Sequence, residues 1–132
     1  MYDEIKHKLE VKNELTRRGL GSYMNDTKWQ ELLAEISKLS FPPSYQRKDV
    51  LHVEPEPCNF DSDDSSWGDY EEGIYPLFSI EWIRIRPRYL KHVAHLLPNA
   101  IVDCEAELEA ALQSLGQLYV KTDDSIWIYG YK

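Results

Sequence analysis

The chain has 132 residues, of which 42% are hydrophobic and 12% aromatic. That size and apolar share exclude wholesale disorder and suit one domain with its own core. Its 15 basic and 23 acidic residues give a net charge of -8. This balance disfavours generic nucleic-acid binding, which rests on neutralising phosphates with Lys and Arg.

Taken in chain order, residues 2 to 18 predict a helix. Ile5, Leu9 and the Val11/Leu15 pair form an imperfect apolar stripe among charges, and Gly19 and Gly21 end it. This helix is polar enough to be peripheral. A second helix follows a cap drawn from Asn25, Asp26 or Thr27, because a short polar side chain can accept a first-turn N–H. Trp29, Leu32, Leu33, Ile36 and Leu39 recur at helical spacing, and Phe41-Pro42-Pro43 stops the run. Tyr45 to Val53 alternates weakly and predicts a strand, closed by Pro55 and Pro57.

From Glu54 to Gly73 nothing is periodic, which predicts a long surface loop inserted in the domain. Ile74 to Arg86 is the clearest strand, with Ile83 and Ile85 on one face and Trp82, Arg84 and Arg86 on the other. Arg88 to Leu97 reads either as a short helix or as an irregular strand and turn, and a short apolar run, Ala100-Ile101-Val102, follows. Asp103 is the expected cap of a last helix, in which Leu108, Ala111, Leu112 and Leu115 face inward and Gly116 follows the end. Leu118–Lys121 and Ile126–Tyr131 then form a hairpin around Thr122-Asp123-Asp124-Ser125. The expected fold is α+β: about four mostly antiparallel strands packed on two amphipathic helices, with a peripheral N-terminal helix, as a single domain over residues 1–132.

Two cysteines, Cys58 and Cys104, are too few and too far apart for a disulfide framework or a zinc motif. Free thiols in a reducing cytosol are the simpler reading, with a single disulfide as the alternative. The charged start MYDEIKHKLEV is no signal peptide, and no apolar run reaches the length of a membrane span. The expectation is a soluble cytoplasmic protein.

Charge is unevenly placed. Between Lys48 and Arg84 there is no Lys or Arg but there are ten carboxylates, so the remainder of the chain is slightly basic. The middle of this segment offers Asp61, Asp63, Asp64, Asp69, Glu71 and Glu72 beside Trp67 and Tyr70. Carboxylates steer a cationic partner and aromatics anchor it, so these eight residues are the candidate partner-binding set. A merely solubilising, solvated loop is the bland alternative.

Counted from Asp61, carboxylates also fall at positions 1, 3, 9 and 12, as in a calcium-binding loop. Ser66 stands where that loop's turn needs glycine, and Pro55, Pro57, Gly73 and Pro76 deny it flanking helices. His92 and His95 share a face only if their segment is helical, and neither has a cysteine nearby. No metal or cofactor is expected. No nucleophile elbow, phosphate loop or dinucleotide fingerprint is present either. Cys104 follows the expected cap Asp103, where a thiol can be activated, but a packing cysteine is the plainer reading. No enzyme is expected. The strip Arg84, Arg86, Arg88 and Lys91 with Trp82 can bind single-stranded nucleic acid on a sheet face; the simpler account pairs it with the acidic loop's own carboxylates.

Three stretches carry a resemblance: Asp26-Thr27-Lys28-Trp29-Gln30-Glu31-Leu32-Leu33, Ser79-Ile80-Glu81-Trp82-Ile83-Arg84-Ile85 and Ser125-Ile126-Trp127-Ile128-Tyr129-Gly130-Tyr131. In this order they resemble a small bacterial family of uncharacterised single-domain proteins, over residues 25 to 131. The resemblance implies no catalytic residues. In size, acidity and lack of a catalytic motif the chain is also similar in general character to immunity proteins of bacterial toxin systems. The expected function is therefore a cytosolic immunity or inhibitor protein that neutralises a basic toxin, such as a nuclease. The alternative is a nucleic-acid-binding or regulatory module using the Trp82/Arg84/Arg86 face.

Overall fold

A computed structural model describes residues 2–39, 43–58, 74–91 and 100–132. Helix α1 spans Glu4–Arg18, α2 Asp26–Ile36 and α3 Glu105–Ser114. The strands are β1 Ser44–Asp49, β2 Ile80–Arg86, β3 Arg88–Lys91, β4 Ala100–Asp103, β5 Tyr119–Lys121 and β6 Ile126–Tyr129. β1, β2, β6 and β5 form a four-stranded antiparallel sheet in that order, and β3 pairs with β4 as a separate antiparallel ribbon. The α+β expectation holds, with α1 as the additional N-terminal helix.

Period-two alternation builds the core face. Ile83 and Ile85 on β2 lie opposite Ile128 and Ile126 on β6, and Tyr45 on β1 lies opposite Ile85. All four isoleucines are fully buried. They pack in one cluster with Trp29, Leu32 and Ile36 of α2 and Leu108 and Leu112 of α3. Burying an aliphatic side chain of this size contributes about 1.5–3 kcal/mol, so this cluster is the main source of stability.

The helix ends follow the polar signals. Asn25 caps α2, accepting from the Lys28 N–H at 2.8 Å. Gly19 and Gly116 follow α1 and α3 with φ of 68° and 67°, a region glycine enters without a Cβ penalty. At α3 the capping position is Cys104 rather than Asp103. The Asp103 carboxylate still accepts the Glu105 N–H at 2.7 Å, so the aspartate serves the helix from one residue further out.

Other expectations need correction. The stripe Ile5–Leu9 is not α1's buried face: Ile5 is 82% and Leu9 55% exposed, while Val11 is buried. α1 instead docks through polar contacts. Arg18 forks onto the Glu81 carboxylate at 2.7 and 3.1 Å, and the His7 ring sits edge-on to Phe78 with centroids 4.9 Å apart. The strand expected from Ile74 begins only at Ile80. Pro76 lacks an N–H for the ladder, and Leu77–Ser79 make a single 3-10 turn. Arg88–Lys91 is strand, the second of the two readings open for that segment, while residues 92–97 lie outside the described ones.

Gly130 fixes the end of the sheet. Its N–H and that of Tyr131 both donate to the Glu81 carbonyl, at 2.8 and 3.1 Å. A Cβ at position 130 would overlap the carbonyl oxygen of Ile80 and crowd the Trp29 ring. Replacing Gly130→Ala should therefore cost about 1–3 kcal/mol, the usual range for overpacking against a rigid neighbour. Urea unfolding reads this directly, and an unchanged midpoint would show that the chain relaxes around the added methyl.

Candidate functional site

β1 carries an arginine on the core side of the sheet. Arg47 lies opposite the fully buried Ile83 and is itself buried. A guanidinium placed there must find acceptors, since an unpaired buried charge costs several kcal/mol. It finds them across a long span of sequence. One terminal nitrogen donates to the Ile74 carbonyl. The other donates to the Pro76 carbonyl at 2.8 Å, the Ser79 hydroxyl at 2.9 Å and Asp49 Oδ2 at 3.4 Å. Ser79 in turn donates to Asp49 at 2.8 Å, and Asp49 Oδ1 accepts the Leu51 N–H at 2.8 Å. Burial pulls the Arg47 guanidinium below its ordinary value, against the upward pull of Asp49, Tyr45 and Glu56.

The backbone of the same residue holds a second segment. Arg47 N–H donates to the Glu56 carbonyl and Glu56 N–H to the Arg47 carbonyl, both at 2.8 Å. The neighbouring Gln46 side chain donates to the Pro57 carbonyl at 3.0 Å. Residues 56–57 and 74–79 are thus both fastened to β1 at Arg47. Between them runs the middle of the acidic stretch. All eight candidate partner-binding residues, Asp61, Asp63, Asp64, Trp67, Asp69, Tyr70, Glu71 and Glu72, lie outside the described residues. What the structure places are the two roots.

A polar groove of about 250 Å³ opens at these roots, lined by His7, Arg47, Asp49, His52, Glu56, Tyr75 and Pro76. Glu54 and Glu56 are exposed and form no ion pair with a described residue. Asp49 and Glu81, the other described carboxylates of the stretch, are consumed internally. Glu81 takes Arg18 and Lys48. Burial raises the Glu81 pKa, but the bonds and charges of those two cations outweigh it and hold the carboxyl below its usual range.

The strip on the other sheet face is also committed. Trp82 and Trp127 meet with ring centroids 4.9 Å apart. Arg84 lies over the Trp127 ring at 5.2 Å, donates to the Ser125 hydroxyl at 2.7 Å and pairs with Asp124 at 3.1 Å. Arg86 is buried, and Arg88 pairs with Asp103 and Glu105. The expected neutralisation of this strip is thus partly met by residues 103, 105 and 124, which lie outside the acidic stretch.

Cys58 is an exposed free thiol and Cys104 a buried one. Burial, then Glu107 and Asp103, push the Cys104 thiol up to about 12, the opposite of an activated nucleophile. His92 and His95 lie outside the described residues. No group of three or more metal-ligating side chains converges among the described residues, and no described helix is long and apolar enough to cross a membrane.

Sequence reasoning missed Arg47. Its one local signal was a charged residue two positions from Tyr45, on the same face of a strand. Asp49 is close by, but Ile74, Pro76 and Ser79 lie 27 to 32 positions away, where no periodicity reaches.

A profile described as a family of unknown function, DUF6678, matches residues 11–132. The chain belongs to this family. The match covers nearly all the described core and begins inside α1, at the buried Val11. No curated protein and no solved structure matches the chain.

Two outcomes test this geometry. Arg47→Met removes the charge but keeps much of the length, leaving Asp49 and two carbonyls without their donor. It should cost about 3–5 kcal/mol, far more than the loss of an exposed pair such as Lys38–Glu35. Chemical denaturation of the two variants compares them, and equal costs would remove Arg47 from its central role. A thiol reagent at mildly alkaline pH should modify Cys58 at once and Cys104 only on unfolding. Two fast thiols in the folded protein would contradict the burial of Cys104.

Proposed function

We propose that this chain is a non-enzymatic binding protein that docks a basic protein partner through the acidic stretch rooted on β1. In the fullest form of this reading it is a cytosolic immunity or inhibitor protein. Its target would be a basic toxin such as a nuclease. Asp61, Asp63, Asp64, Asp69, Glu71 and Glu72 face the partner's cations, and Trp67 and Tyr70 anchor the contact.

Segregation of charge carries the proposal. Ten carboxylates stand without a Lys or Arg between Lys48 and Arg84. Six of the body's cations are held in ion pairs: Arg18 and Lys48 on Glu81, Arg47 on Asp49, Arg84 on Asp124, Arg88 on Asp103 and Glu105, Lys121 on Glu105 and Glu109. Arg84 and Arg88 are among these, which weighs against the Trp82/Arg84/Arg86 face as a nucleic-acid site. An acidic surface on a neutralised scaffold attracts a basic protein and raises its rate of encounter.

The experiment is capture of partners from the native host with the wild-type chain as bait, eluted by a salt gradient. One stoichiometric, strongly basic protein released at raised salt is the expected result. Reversing Asp61, Asp63, Asp64 and Asp69 to lysine should then slow its association by roughly tenfold or more at low salt. Recovery of nucleic acid instead, or an association rate indifferent to the four reversals, rejects the reading.

A further inference from the structure

β5 is the outer strand of the sheet, and no described strand pairs with its far edge. Thr122 N–H donates to the Ser125 carbonyl at 2.8 Å, which sets the parity of the hairpin. Val120 and Trp127 then form a hydrogen-bonded pair, so the N–H and C=O groups of Tyr119 and Lys121 point away from β6. No described loop or turn backbone meets them. The opposite edge differs, because Glu56 closes β1 at Arg47. Beside the open edge lies a groove of about 330 Å³ lined by Tyr23, Leu118, Tyr119, Val120, Tyr129 and Lys132. Leu118 is 71%, Tyr23 46% and Val120 42% exposed. Soluble proteins ordinarily blunt such an edge with charge, proline or a bulge.

We propose that a second copy of this chain occupies this edge, joining two four-stranded sheets about a two-fold axis at Val120. The strand is self-complementary in that register. Outward-pointing groups must meet outward-pointing groups, and centring on Val120 sets Tyr119 against the partner's Lys121 and Lys121 against the partner's Tyr119. Two such pairs supply four backbone hydrogen bonds. Charge agrees with the register. Tyr119 donates to Glu109 at 3.1 Å, and Lys121 lies 3.4 Å from Glu109 and 3.7 Å from Glu105. The two-fold therefore brings Lys121 to the partner's Glu109 and keeps the two lysines from facing each other.

On the outer face Val120 meets the partner's Val120 in a non-hydrogen-bonded pair, where side chains come closest. Gln113 bonds the Tyr119 hydroxyl at 3.2 Å and so marks the flank of α3 above this edge. Ala106 and Ala110 share that flank by helical spacing, and all three are exposed and uncharged. The acidic roots on β1 are three strand spacings from β5, about 14 Å, so the axis keeps the roots of the two copies apart. This inference does not rest on the binding reading above.

Sedimentation of the full chain from low-micromolar to near-millimolar concentration tests it. The expected result is a rise from the 15.5 kDa monomer toward twice that mass. Val120→Lys sets two ammonium groups face to face on a solvent-exposed position. It should leave the far-ultraviolet circular dichroism unchanged and weaken the dimer by about tenfold or more. Val120→Cys in a Cys58→Ser background provides a second reading, since it should form a disulfide-linked dimer under mild oxidation. A monomer at every concentration overturns the proposal. So does a dimer that Val120→Lys leaves unchanged, or a Val120→Cys chain that fails to cross-link.

Discussion

The buried guanidinium of Arg47 ties the edge of the sheet to residues that lie far away in sequence. Its side chain gathers Ile74, Pro76 and Ser79, and its backbone holds Glu56. A charged hydrogen bond is worth about 1.5–3 kcal/mol, and several act here in a site largely shut from water. They offset a desolvation cost of several kcal/mol. The net gain is modest; what the arrangement secures is geometry. The ladder to β2 and the Val50 N–H to Ser79 carbonyl bond place β1 beside the turn that precedes β2, and the guanidinium adds the ties to Ile74 and Pro76.

Much of the fold was legible because it rests on short-range physics. Trp29, Leu32 and Ile36 recur at helical spacing, and Ile83 and Ile85 alternate with Trp82 and Arg84. Gly19 and Gly116 sit where only a glycine avoids strain. The errors arose where tertiary contact decides. Ile5 and Leu9 read as an inward stripe, yet both are exposed among the described residues. The docked side of α1 is instead built from His7, Val11 and Arg18. Periodicity cannot tell which face of a polar helix meets the body. The candidate site was legible in its composition alone. The pull of ten carboxylates is plain in the sequence, whereas the clamp that fixes where they emerge depends on contacts across about thirty residues.

The ion pairs divide the molecule into two electrostatic zones. On the body, carboxylates and cations alternate in space: Arg18, Glu81 and Lys48 form one chain, and Arg88, Glu105, Lys121 and Glu109 form another. Such networks add little individually, but they leave the body nearly featureless as a field source. By sequence, the surplus of negative charge belongs to the stretch with no basic residue.

Fastening both ends of an excursion to one strand also separates what folds from what varies. The free energy of closing a loop grows only as the logarithm of its length, about 0.6 kcal/mol for each doubling. Positions 56 and 74 are held by the same arginine, so the closure cost of the segment between them depends only weakly on its length. A footing of this kind separates the scaffold from the length of the segment it carries. A grafted segment should inherit the same footing, which makes the Arg47 clamp an attachment point for engineered recognition.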